Sequence, residues 1–88
     1  MEFVKTFKSI YIKLIVMKDY LKIFSERLKD LRQEKGFTAQ QLAKKIGVSE
    51  PTISRWENCM RIPNFLQIIA LAEFFDVSLD YLTGLLDY

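Results

Sequence analysis

The stretch QQLAKKIGVSEPTISRWEN, Gln40 to Asn58, constrains this chain more than any other. Leu42, Ala43 and Ile46 recur at helical spacing among Gln40, Gln41, Lys44 and Lys45, which predicts one amphipathic helix. Gly47-Val48-Ser49 then breaks it, and a second short helical pattern follows with Ile53 and Trp56 as its only large apolar residues. Two such helices cannot run on as one rod. They must pack against each other across a tight corner, so Ala43 is small where the helices cross, and Gly47 sits where the corner needs a positive φ. The apolar inner side is Leu42, Ile46, Val48, Ile53 and Trp56.

The flanking sequence reads as further short helices. Phe24 to Arg32 puts Phe24, Leu28 and Leu31 on one face, and Gly36 is its stop signal. Thr38 followed by Gln41 three residues later forms a capping box, which starts the second helix near Ala39. Ser49 is a good cap for the third, with Pro51 tolerated in its first turn. After Ile62-Pro63-Asn64, the residues Phe65, Leu66, Ile68, Ile69, Leu71, Ala72 and Phe75 predict a largely buried fourth helix. Ser78 caps a fifth, with Leu79, Leu82 and Leu86 inward. The reading is all-α: five short helices over residues 24–88, preceded by an extension over 1–23. With 50% hydrophobic and 14% aromatic residues, the chain has the apolar content to bury a core despite its length.

The extension admits three readings. Phe3, Phe7, Ile10, Leu14, Met17, Leu21, Phe24, Leu28 and Leu31 alternate by four and three, a heptad seam that would make one long helix and a dimer contact. Ile10 to Val16 is also rich in β-branched and aromatic residues, as a strand would be. In the third reading the natural protein starts at Met17 and the preceding residues are weakly structured. The seam favours helix over strand.

Several function classes are excluded or disfavoured. The apolar run Ile10 to Val16 is too short to span a membrane and is interrupted by Lys13, and no signal-peptide cleavage site follows it. Cys59 is the only cysteine, so there is no internal disulfide, in keeping with a reducing cytoplasm. The chain has no His, hence no thiol–His pair, and it has neither a metal-ligand cluster nor a Gly-rich phosphate loop. We therefore expect no enzyme, no cofactor and no metal. The net charge is only +2, but it is unevenly spread. Lysines dominate residues 1–24, and Lys44, Lys45, Arg55 and Arg61 outnumber Glu50 and Glu57. From residue 64 onward the charged side chains are Glu73, Asp76, Asp80 and Asp87 alone. Such a dipolar domain offers its basic side to a polyanion.

Two helices joined by a short glycine-containing turn are a helix-turn-helix unit, here over residues 39–58. An ordinary helical hairpin is the alternative, with Ala43 and Gly47 in place by chance. Beyond the unit itself, LRQEKG, TAQQLAKKIGVS, TISRWEN, IP and VSLDYL together resemble the Cro/C1-type (XRE-type) helix-turn-helix domain of phage repressors and bacterial regulators, over about residues 24–84. The resemblance implies a five-helix, lambda-repressor-like domain that binds double-stranded DNA, usually as a homodimer on a palindromic operator.

The second helix of the unit suits that role. With Ile53 and Trp56 inward, Glu50, Pro51, Thr52 and Arg55 remain for base edges. Arg55 can donate two hydrogen bonds to a guanine, Thr52 can bond an edge or pack its methyl on thymine, and Glu50 can accept from cytosine. A first-turn carboxylate is also favoured by the helix dipole alone, and a surface Arg can simply be solvated. Pro51 shapes the helix start and can touch a thymine methyl. Thr38, beside the free N–H groups that open the preceding helix, makes a phosphate site. By resemblance, Gln40, Ser49, Asn58 and Arg61 are further phosphate contacts, and Arg32 forms a structural salt bridge with Glu57. Lys44 and Lys45 supply long-range attraction.

Two positions depart from the family pattern. Ala39 stands where Gln is frequent, which puts one phosphate contact in doubt. Cys59 stands where Gly is frequent, and is expected to be a small buried space-filler, strained if its φ is positive. The function expected is a sequence-specific regulator, a repressor or autoregulator. The competing class is a protein-interaction module of the same fold, docking through the N-terminal segment.

Overall fold

In the computed structural model the described residues are 20–86, and they form five helices with no strand among them: α1 (residues 20–34), α2 (Ala39–Ile46), α3 (Glu50–Glu57), α4 (Phe65–Phe75) and α5 (Leu79–Thr83). The expected all-α fold is therefore the one adopted. Helix is already formed at Tyr20, ahead of the Phe24 start read from the sequence. Of the heptad seam, Leu21 packs against the core and Phe24, Leu28 and Leu31 are buried within it. The seam positions from Phe3 to Met17 lie outside the described residues.

Local chemistry sets the boundaries. Thr38, Ser49, Asn64 and Ser78 are N-caps with extended backbone, and each side chain accepts a hydrogen bond from the first turn of its helix. Thr38 and Asn64 complete full capping boxes with Gln41 and Gln67. Gly47 ends α2 at φ 83°, a conformation that glycine adopts without steric cost.

The core is one cluster built from every helix: Phe24, Leu28 and Leu31 of α1, Leu42 and Ala43 of α2, Ile53 and Trp56 of α3, Leu71, Ala72 and Phe75 of α4, and Leu82 of α5. Arg27 fastens α5 to α1. Its guanidinium lies 4.4 Å from the centroid of the Tyr81 ring. It also donates to the Tyr81 carbonyl and, at 2.9 Å, to that of Leu86. This brings a cation to the C-terminal end of α5, where the helix dipole favours one.

Two expectations about burial need correction. Phe65 and Leu66 are 74% and 73% exposed, so the first turn of α4 overhangs the core and only its second half is buried. Leu79 and Leu86 are also exposed, leaving Leu82 as the inward anchor of α5. A helix of five residues has room for little more than one inward position.

Candidate nucleic-acid interface

The candidate surface is built on the break in the chain. Leu42 and Ala43 of α2 meet Ile53 and Trp56 of α3 in the core, and the corner at Gly47 lets the two short helices cross. With Ile53 and Trp56 committed inward, Glu50, Pro51, Ser54 and Arg55 of α3 are exposed and Thr52 is half-buried. Glu50 and Pro51 occupy the first turn, where the helix dipole and the missing N–H of proline both suit them. No described side chain engages Arg55, which projects as a free donor fork from the last turn.

The structure brings Ser49 and Thr52 together. Their hydroxyls are 2.8 Å apart, and the Ser49 Oγ accepts the Thr52 N–H at 3.3 Å. Of that pair one hydroxyl donates and the other accepts, so the donor still free on this edge of α3 depends on which way the pair is oriented. Ser49, Thr52 and Arg61 line one polar cleft with Asn64 and Gln67. Asn64 and Gln67 were not singled out from the sequence, although the N-x-x-Q spacing of a capping box was there to find. Thr38 uses its Oγ1 to accept the Gln41 N–H at 3.1 Å, and its hydroxyl proton remains free to point outward. Gln40 is exposed beside it. Asn58 turns back on its own helix, its Nδ2 donating to the Ser54 carbonyl at 2.8 Å. Lys44 and Lys45 lie exposed in the last turn of α2.

Behind this surface, Arg32 of α1 holds Glu57 at the end of α3. Nε donates to Oε2 at 2.7 Å, Nη2 to Oε1 at 2.9 Å, and Nη1 to the Phe37 carbonyl at 2.9 Å. The side chains are only 14% and 7% exposed. The Glu57 hydrogen bond, reinforced by its charge, raises the guanidinium above its already high pKa against the opposing effect of burial.

Sequence reasoning missed a second tie. Ser25, 1% exposed, donates its Oγ hydrogen to the Trp56 carbonyl at 2.6 Å. A serine on the apolar face of α1 was the available signal.

Cys59 corrects the sequence reading. It is exposed, not a buried space-filler, and its φ is 59°. The turn that closes α3 needs a left-handed residue there, and a residue on the outer side of that turn has no core to fill. Among the described residues, no group of His, Cys, Asp and Glu is placed to hold a metal ion. No described helix is long and apolar enough to cross a membrane.

A helix-turn-helix family profile matches residues 28–82. The chain is 40% identical over 60 residues to the uncharacterized HTH-type transcriptional regulator YqaE of Bacillus subtilis, spanning 68% of this chain and 52% of that protein. It is 39% identical over 59 residues to the HTH-type transcriptional activator BcrR of Enterococcus faecalis, spanning 67% of this chain and 29% of that protein. The chain thus spans about half or less of the length of these relatives. The P22 c2 repressor, solved in complex with a synthetic operator, superposes with a TM-score of 0.65 at 33% identity, over 68% of this chain and 91% of that one. This chain belongs to the Cro/C1-type helix-turn-helix family of DNA-binding transcriptional regulators, a family of binders rather than enzymes.

Proposed function

We propose that this protein is a sequence-specific regulator that lays α3 in the major groove of duplex DNA and acts as a homodimer on a palindromic operator. The observation that carries the reading is the division of labour on α3. Its inward side is limited to Ile53 and Trp56, while Glu50, Pro51 and Arg55 stand exposed on a helix held from behind by Arg32. Glu50, Pro51, Thr52 and Arg55 read base edges. Thr38, Gln40, Ser49, Asn58 and Arg61 contact phosphates and set the register. The exposed Leu85 and Leu86 beyond α5 supply a self-complementary apolar contact for the dimer, and the N-terminal segment is the place for a protein partner. Control takes the form of repression or autoregulation in the cytoplasm, at the nucleoid. BcrR, named as an activator, marks activation as the competing direction.

The test is selection of binding sites from random duplexes at two salt concentrations. A palindrome that enriches at both supports the reading, and its half-site spacing reports the dimer geometry. A chain that enriches nothing, and loses all binding at moderate salt, makes only phosphate contacts and is not a sequence reader. A promoter fusion carrying the selected site then decides the direction of control.

A further inference from the structure

All five helices of this fold are followed by a left-handed residue, Gly36, Gly47, Cys59, Asp76 and Gly84, and α1 and α4 close on theirs with the same pair of backbone bonds. After α1, Gly36 N–H donates to the Gln33 carbonyl at 3.0 Å and Phe37 N–H to the Arg32 carbonyl at 3.0 Å. After α4, Asp76 N–H donates to Glu73 at 3.2 Å and Val77 N–H to Ala72 at 3.0 Å. Both are the paired bonds of a Schellman turn. After α3 the outer bond forms, with Met60 N–H donating to the Arg55 carbonyl at 2.9 Å. The inner acceptor would be the Trp56 carbonyl, and its donor the N–H of the left-handed residue Cys59. That bond is absent, and the Trp56 carbonyl instead takes the hydroxyl of Ser25 at 2.6 Å.

We infer that Ser25 is a positioning residue for DNA reading: its hydroxyl replaces the inner turn bond and locks the backbone of the recognition helix to α1. The inference rests on the function proposed above and assigns one further residue to it. Ser25 and Arg32 are seven residues apart, hence on one face of α1 and about 10 Å apart along it. They make different attachments. Arg32 grips the side chain of Glu57, whereas Ser25 grips the peptide unit of Trp56, immediately after Arg55. A side-chain grip leaves α3 free to slide or roll by the play of that side chain. A backbone grip from a fully buried hydroxyl does not. Bidentate base contacts demand that positional control, and phosphate contacts, made by flexible side chains to a uniform backbone, do not.

The experiment compares the full chain and Ser25→Ala on two duplexes, the site recovered by selection and a scrambled duplex of equal length and composition, at one salt concentration. A stability control, Val77→Ala, removes packing next to α4 and away from α3. Both variants are studied well below their melting temperatures. Ser25→Ala is expected to weaken binding to the selected duplex by about tenfold and to the scrambled duplex by less than about twofold, taking a tenfold change as the loss of roughly one good hydrogen bond. Val77→Ala leaves the ratio of the two affinities unchanged. Equal losses on both duplexes, the same ratio change in Val77→Ala, or no change in Ser25→Ala overturns the role given to Ser25 alone. A wild-type chain that does not distinguish the duplexes overturns the proposed function and this inference with it.

Discussion

Arg32 and Glu57 are joined by two hydrogen bonds, of 2.7 and 2.9 Å, that link the first helix to the last residue of the third. A third bond of 2.9 Å from the same guanidinium holds the Phe37 carbonyl, so one side chain ties α1, the corner before α2 and the end of α3 together. Lysine cannot reproduce this fork. Arg32→Lys is expected to destabilise the domain by about 1–3 kcal/mol, the range for removing hydrogen bonds from buried polar partners; urea unfolding measures it. The raised pKa of Arg32 gives a contribution that is fully present below the ordinary arginine value and lost only as pH rises through the higher folded one. The loss on Arg32→Lys should therefore be as large at pH 9 as at pH 7.

Arg55 and Lys45 are both exposed cations near α3, and they should behave differently. Arg55→Ala should relax one position in each half-site of the selected operator, at about 1–3 kcal/mol of discrimination. Lys45→Ala should weaken binding uniformly across sequences and lower its salt dependence. Repeating the site selection with each variant separates the two.

Cys59 holds a φ of 59° at an exposed turn. A left-handed conformation costs a non-glycine residue about 1–2 kcal/mol, part of which glycine gives back through its freer unfolded chain. Cys59→Gly is expected to raise stability by about 0.5–1 kcal/mol, read as an upward shift of the thermal midpoint.

Gly36 and Gly84 both have positive φ, 76° and 87°, but their surroundings differ. A Cβ at Gly36 meets nothing within 4 Å, whereas at Gly84 it lies 2.9 Å from Cγ2 of Ile23, a branched side chain held on α1. Gly36→Ala should cost only the backbone strain, about 1 kcal/mol. Gly84→Ala adds the clash, or the displacement of α5 from α1, and should cost about 1–3 kcal/mol more. Parallel thermal melts of the two variants check the difference.

The asymmetry between what could be read and what could not is plain in α3. Ser49 as cap, Pro51 in the first turn and Ile53 with Trp56 as the inner pair were all legible, because each depends on neighbours within one turn of helix. The exposure of Cys59 was not, since a small apolar side chain is equally compatible with a core and with the outer side of a turn. Nor was the fate of Phe65 and Leu66: a fully apolar helix does not say how far its first turn overhangs the core it packs on.

The sequence by itself determined the five helices, their caps and stops, and the two short helices that carry the proposed recognition surface. These are set by periodicities and backbone preferences acting over a few residues. Tertiary structure decided how that surface is held. Ser25 reaches the Trp56 carbonyl across 31 positions of chain, and Arg27 reaches that of Tyr81 across 54. Which side chain meets which carbonyl of another helix depends on the packing of whole helices, and no local pattern records it.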